Sequence, residues 1–417
     1  MRTDVIVLGA GIIGVSTALH LQRRGRDVVL VDRRGAGEEA SYGNAGLMER
    51  ATIEPYAFPR DLGSLVKYGL NRSTEVRYEI SFLPRIAPWL ARYWWHSSPH
   101  RHAEATRAMR PLIERCVEEH ADLVAEAGVA PLMRPRGWIK AARSQARLDA
   151  EAAEAERFAR DYGISYDLLD RAGLKEREPH LSDRVIGAIH LRDPNTSPDP
   201  GGLTKAYADL FIRKGGRFIS GDARSLKAHG GNGKAGWRVT TGEGEISADD
   251  VVVAMGAWSN DIYERLGYRM PLAAKRGYHL HYAAEGNAVL NHPVLDVDAG
   301  VVLAPMNKGI RLTTGIEFAP RDAPKSPIQI ARCEPLAREI FPLGPPNEPE
   351  PWMGLRPCFP DMRPVIGPAP RHDGIWFAFG HNHHGFSLGP VTGRILAEMM
   401  TGEDPVVDTG WFRADRF

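Results

Sequence analysis

The sequence predicts an α/β protein, α+β when taken whole, built around a mainly parallel sheet. Two observations carry that expectation: a strand, glycine turn, helix and strand in direct succession at the N-terminus, and the alternation of β-branched runs with helical stretches further along. Val5-Ile6-Val7-Leu8 is a short apolar run of the kind a doubly covered parallel strand needs. It leads into Gly9-Ala10-Gly11-Ile12-Ile13-Gly14, a GxGxxG. Val15 to Arg24 reads as a helix with apolar Val15, Ala18, Leu19 and Leu21, ended by Gly25. Val28-Val29-Leu30-Val31 is a second strand, and Asp32 closes it 18 residues after Gly14.

Each part has a physical job in Rossmann-like dinucleotide binding. Gly9 permits the tight turn, Gly11 lets backbone approach a pyrophosphate, and Gly14 lets helix and strand pack closely. The helix start at Ile12 and Ile13 offers N–H groups and a positive dipole end to phosphates. Asp32, with Arg33 beside it, would take the ribose end of an adenosine. The bland alternative is a glycine-rich turn with no ligand. These residues do not separate NAD from FAD.

After Arg33-Arg34-Gly35 an NAD-binding domain would proceed to another crossover helix. Here Glu38-Glu39-Ala40-Ser41-Tyr42-Gly43-Asn44-Ala45-Gly46-Leu47 is a loop of small and polar residues, suited to running backbone along an extended cofactor. Its Ser41, Asn44, Ala45, Gly46 and Leu47 resemble the flavin-contacting loop of the D-amino acid oxidase superfamily of FAD-dependent oxidoreductases. The likeness recurs. Val251 to Ser259 resembles a second FAD motif, with Gly256 beside the cofactor. Gly354-Leu355-Arg356-Pro357, Pro360 to Gly367, and Gly380-His381 through Gly385-Phe386-Ser387-Leu388 resemble the C-terminal flavin region in order and spacing. Within the superfamily the chain looks most like the bacterial D-amino acid dehydrogenase branch, D-hydroxyproline dehydrogenases included. Where glycine oxidases carry a second arginine, this chain reads His381-Asn382-His383-His384.

The resemblance implies a Rossmann-like FAD-binding domain of residues 1–48, 185–268 and 348–417. A discontinuous substrate domain with a mixed antiparallel sheet would hold 49–184 and 269–347. Ala105 to Ala127 and Gln145 to Tyr162 read as amphipathic helices. Tyr278 to Tyr282, Gly300 to Ala304 and Ile310 to Gly315 read as strands. Pro342 to Pro351, with five prolines in ten residues, reads as a stiff connector. Ala223, after the strand Arg217 to Ser220, would lean its backbone on the adenine.

For the site, Arg356 stands in an apolar neighbourhood, where a guanidinium needs an anion: a substrate carboxylate, or a structural acid. Tyr278 lies where the family often places a tyrosine over the substrate, although a packed core tyrosine reads equally. His383 and His384 would face the substrate cavity or serve the loop's own structure. Three histidines in four residues without other ligands make no metal site. Cys358 stands too close to Pro360 for the cysteine that carries covalent flavin in some sarcosine oxidases, so FAD is expected to be non-covalent.

The expected reaction is oxidative deamination of a small D-amino acid, or of a cyclic imino acid, by hydride transfer from Cα to flavin N5. Glycine or sarcosine-type oxidation, a flavoprotein subunit of a heteromeric dehydrogenase, and a NAD-linked dehydrogenase stand as alternatives. The formal charge of +1 over 417 residues argues against nucleic acid as a partner. Cys116, Cys333 and Cys358 form no paired spacing and fit a reducing compartment. With no signal-like segment and no long apolar run, a cytoplasmic protein is expected. The aromatic run Phe82 to Trp95, followed by basic residues, reads either as a helix buried between domains or as a peripheral contact with the inner membrane. The resemblance favours a quinone or respiratory acceptor over oxygen.

Overall fold

The structure, a computed structural model, describes residues 1–231 and 234–417. β1 (Arg2–Leu8), α1 (Ile12–Arg23) and β2 (Val28–Asp32) form the expected opening unit. β1 lies parallel to β2 on one side and to Gly244–Val253 on the other. Arg217–Ser220 extends the sheet in parallel beyond β2, and Ile375–Phe379 does so beyond Gly244–Val253. Three antiparallel strands complete an eight-stranded sheet. Val5 to Leu8 are all fully buried, which is why the run carries no alternation: α1 and its neighbours cover one face, and a second apolar layer covers the other.

The second sheet has eleven strands of mixed direction. Its centre is Ala273–Ala284, antiparallel to Gly309–Thr313 and to Trp352–Cys358. The expected strands at 278–282, 300–304 and 310–315 all belong here, with bounds shifted by a few residues. Gly187–Leu191 and Trp352–Cys358 join this sheet too, although the sequence reading put both segments in the nucleotide-binding unit. Pairing partner, which local pattern does not reveal, decides sheet membership. For the same reason the proline-rich connector contains a strand: Leu343–Pro346 adds to the edge of Ala273–Ala284.

Three helices lie between these layers in sequence. α2 (Leu62–Gly69) has no buried residue. α3 (Leu83–His96) buries Ile86, Trp89 and Tyr93 and leaves Trp94 and Trp95 exposed, so the aromatic run has an inner and an outer face. α4 (Pro99–Ala127) packs on the nucleotide side, where the imidazole of buried His120 meets Tyr207 Oη at 3.0 Å and the carbonyl of Phe386 at 2.9 Å. Among the described residues no helix is long and apolar enough to cross a membrane.

Candidate active site

The glycine turn is shaped by close approach. Gly9 has φ +105°, and a Cβ there would stand 2.5 Å from the carbonyl oxygen of Ala254. A Cβ on Gly14 would stand 1.8 Å from the carbonyl oxygen of Gly9. Gly11 differs: a Cβ would meet only Ser41 Oγ, at 3.6 Å. The protein's own packing does not demand glycine at 11, so the space in front of it is reserved for something else. Gly11 is also the N-cap of α1 and has no side chain to cap it; Ser41 takes the N–H of Ile12, and the rest of the first turn can be completed by an anion.

A cavity of about 900 Å³ opens from this turn and runs to the second sheet. Gly9, Gly11, Ile12, Ile13, Asp32, Arg33, Ser41, Asn44, Ala45, Leu47, Ala223 and Gly256 line its nucleotide end. Gly354, Arg356, His383, His384, Gly385, Phe386 and Ser387 line the other end. Gly14, Gly46 and Leu388 do not reach it. Gly14 serves the turn, while a Cβ on Gly46 would strike the carbonyl oxygen of Ser197 at 2.1 Å. Leu388 is fully buried at the start of the last helix, Gly389–Thr401.

Several expected contacts carry structural duties as well. Asp32 accepts the N–H of Ala10 at 2.6 Å and that of Arg34 at 3.0 Å, keeping lone pairs for a ribose. Ser41 Oγ accepts the N–H of Ile12 at 2.9 Å. Asn44 Oδ1 accepts the N–H groups of Gly46 and Leu47, which bends the loop. Arg33 lies over the Trp258 ring at 4.5 Å. Ser387 Oγ accepts the N–H of Glu49 and donates to the carbonyl of Leu47, joining the last helix to the flavin loop. Gly354 makes room for the Trp352 ring, whose Cη2 lies 2.3 Å from where a Cβ would be.

At the sheet end, Arg356 donates from Nη1 to the carbonyl of Gly315 at 3.3 Å and has no carboxylate partner among the described residues. Burial holds its pKa below the ordinary arginine value. Burial likewise keeps both histidines neutral: His383 is held well below the usual range and His384 at about 4. Their rings are 3.8 Å apart, and His383 Nε2 with both His384 nitrogens is buried without a partner among the described residues. His381 instead meets Thr392 Oγ1 at 3.0 Å.

Tyr278 borders the cavity, but its hydroxyl is engaged by neighbouring side chains. Its hydroxyl donates to Glu317 Oε2 at 2.5 Å and accepts from Arg276 at 2.7 Å and from the N–H of Ser326 at 3.1 Å. It lines the wall along with Lys275, Gly277 and His279, but its side chain packs into the apolar core with Leu280 and Tyr282, the strand positions that alternate with those three. The hydroxyl therefore serves a buried Arg276–Glu317 ion pair.

The reading of the sequence missed four groups. Tyr56 meets His383 at 4.4 Å between ring centroids, with the rings tilted by 42°, and it lines the cavity. Glu49, also on the wall, is buried and its pKa is pushed up to about 7. Lys275 lies opposite Arg356. Arg311 donates to the carbonyl of Tyr42 at 2.9 Å and props the flavin loop from below. Two loop residues without periodicity and two strand residues gave no signal for these.

A reserved backbone approach, a helix start capped only in part and orphaned buried nitrogens along one continuous channel fit a long dinucleotide that reaches a second, substrate-facing chamber. Comparison with known proteins agrees. The chain is 30% identical over 420 residues to the D-amino-acid oxidase of Bradyrhizobium diazoefficiens, covering 99% of this chain and 98% of that protein. It is 30% identical over 410 residues to the D-amino acid dehydrogenase of Rhizobium johnstonii, covering 97% of each. The crystal structure of glycine oxidase from Geobacillus kaustophilus shares the fold, with a TM-score of 0.76 at 20% identity over 100% of this chain and 99% of that one. A family model described as FAD dependent oxidoreductase matches residues 4–399, and the chain belongs to that family, with FAD as its cofactor.

Proposed function

We propose that this enzyme oxidises a small D-amino acid at the carbon bearing the amine, with FAD held non-covalently. The names of the two 30%-identical relatives support the reaction. The observation that carries the reading is Arg356, a guanidinium on the cavity wall with no carboxylate partner among the described residues.

Bound FAD supplies the two-electron acceptor for the substrate's hydride. The chain's residues do the rest. Arg356 holds the carboxylate through its planar fork. Neutral His383 and His384 offer hydrogen-bonding nitrogens beside it without adding like charge. Gly385 to Ser387 bring the start of the last helix to the cavity wall, where N–H groups and the dipole stabilise negative charge. The amine must be neutral so that its lone pair can drive the hydride out, and the imine then leaves and hydrolyses in water. Cys358 is buried and its thiol pKa is pushed up, which makes it a poor nucleophile for a covalent link.

The acceptor we propose is a quinone, met at a peripheral membrane contact. Leu62, Val66 and Leu70 of the α2 region and Trp94 and Trp95 of α3 are exposed. Arg60 stacks over Trp94 at 4.1 Å and Arg101 over Trp95 at 4.7 Å, a pairing of aromatics and cations suited to a lipid surface. Leu65 and Tyr68 of α2 also line the cavity, which puts this patch at its rim. Anaerobic addition of D-amino acids should bleach the flavin. The reduced enzyme should then reoxidise quickly with a soluble quinone and slowly in air. No bleaching with any amino acid would overturn the reaction; rapid peroxide release in air would overturn the acceptor.

A further inference from the structure

Lys275 is an unused buried cation. It is only 9% exposed, lines the cavity, and makes no ion pair to any carboxylate among the described residues. Its ammonium sits among aromatic rings, 4.3 Å from the centroid of Tyr93, 5.1 Å from Trp89 and 5.8 Å from Phe318. Lys275 and Arg356 are directly opposite in the pairing of Ala273–Ala284 with Trp352–Cys358, on the same face. Two like charges so placed destabilise a sheet unless something negative lies between or beyond them. No carboxylate among the described residues forms an ion pair with either of them. Cys358, the group nearest in charge terms to both, is pushed toward its neutral thiol by burial.

The two heads also lean apart. Arg356 turns toward Gly277 and Gly315: a Cβ on Gly277 would stand 2.1 Å from Arg356 Nη1. Lys275 turns the other way, to the level of Phe318, since Arg276 pairs with Glu317. Two residues of strand separate those levels, roughly 7 Å. A carboxylate held by both oxygens in the Arg356 fork supplies one negative charge and leaves Lys275 for a second anion.

We infer that the substrate carries two carboxylates, with the one next to the amine on Arg356 and the second on Lys275: an acidic D-amino acid. This rests on the proposed amino acid oxidation and names its substrate class.

The test uses the FAD-loaded enzyme and two kinds of measurement. Binding of glutarate, which cannot be oxidised as an amine, is compared with binding of its half-amide, followed by calorimetry or by the flavin spectrum. Turnover of D-glutamate is compared with that of D-glutamine. Glutarate should bind at least about 10-fold more tightly, and D-glutamate should have a kcat/KM at least about 30-fold higher, as for other buried charge pairs. Lys275→Met should erase both preferences. Equal binding of glutarate and the half-amide, or a preference that survives in Lys275→Met, overturns the second carboxylate site. If that variant does not fold, the wild-type comparison alone decides. A glutarate preference without flavin bleaching by any amino acid would support the site and overturn the reaction.

Discussion

Arg356 is aimed by the absence of a side chain at Gly277. A Cβ built there would lie 2.1 Å from Nη1 and 2.8 Å from Cζ of the guanidinium, on the strand paired with Arg356's own. Gly277 is not among the positive-φ positions, so the backbone itself tolerates alanine. Gly277→Ala should therefore fold and bind FAD while displacing the guanidinium. KM should rise by one to two orders of magnitude, approaching the loss in Arg356→Ala, where losing a buried charge partner costs about 2–5 kcal/mol. Arg356→Lys should restore little, because a point charge cannot replace a planar fork. Unchanged steady-state kinetics in Gly277→Ala would show that the guanidinium is not positioned by this contact.

Two glycines of one motif should fail in different ways. Gly11→Val meets only Ser41 Oγ and should fold, yet lose FAD, because the side chain fills the cofactor's approach. Gly14→Ala puts a carbon 1.8 Å from the carbonyl oxygen of Gly9 and should lower the yield of folded protein itself. Flavin absorbance per folded protein, with circular dichroism for the fold, separates the two. In the wild type, acid precipitation should leave all the flavin in the supernatant.

Tyr278→Phe should change stability rather than substrate binding. It removes a donor to Glu317 and an acceptor for Arg276 and Ser326 inside a fully buried ion pair. The cost is about 1–3 kcal/mol of unfolding free energy. KM should move by less than about threefold, since a shift of that size lies below the roughly 1 kcal/mol expected of a lost hydrogen bond. A KM rise as large as that of Arg356→Ala would return the hydroxyl to the substrate site.

Acid should destabilise the fold above the range in which carboxylates titrate. Burial lowers His20 to about 3 and His120 to about 4, against an ordinary 6.5. Between pH 6.5 and 4 the unfolded chain binds protons that these folded histidines refuse, so stability falls as pH drops through that window and is level above it. For His120 the loss is on the order of 3 kcal/mol. Glu49, raised to about 7, works in the opposite sense and erodes stability as pH rises from 4.5 to 7. Thermal melts across pH 4 to 8 should show the net acid loss, and His120→Gln should reduce it without abolishing it, because His20 titrates in the same sense. A melting temperature that stays level from pH 6.5 to 4 would refute the assignment.

What the sequence by itself determined is what local spacing can encode. The strand, the glycine turn and the helix share one short segment, so their geometry follows from neighbours along the chain. Asp32 and the Ser41 to Leu47 loop follow in the same way. Arg356, His383 and His384 were legible as candidates because a guanidinium between apolar residues, and histidines in a glycine-bounded loop, need partners that the adjacent sequence does not offer. Tertiary structure decided the rest. Whether Tyr278 or Lys275 meets the substrate depends on which face of Ala273–Ala284 the cavity occupies, and alternation fixes only that adjacent residues point opposite ways. Lys275 gains its meaning from Arg356, 81 residues on, through register alone. Tyr56 and Arg311 act on the site from a loop and a strand with no local signal. Sheet membership of Gly187–Leu191 and Trp352–Cys358 was likewise set by pairing between segments distant in the chain, a choice made by the packing of whole layers and by no residue's immediate neighbours.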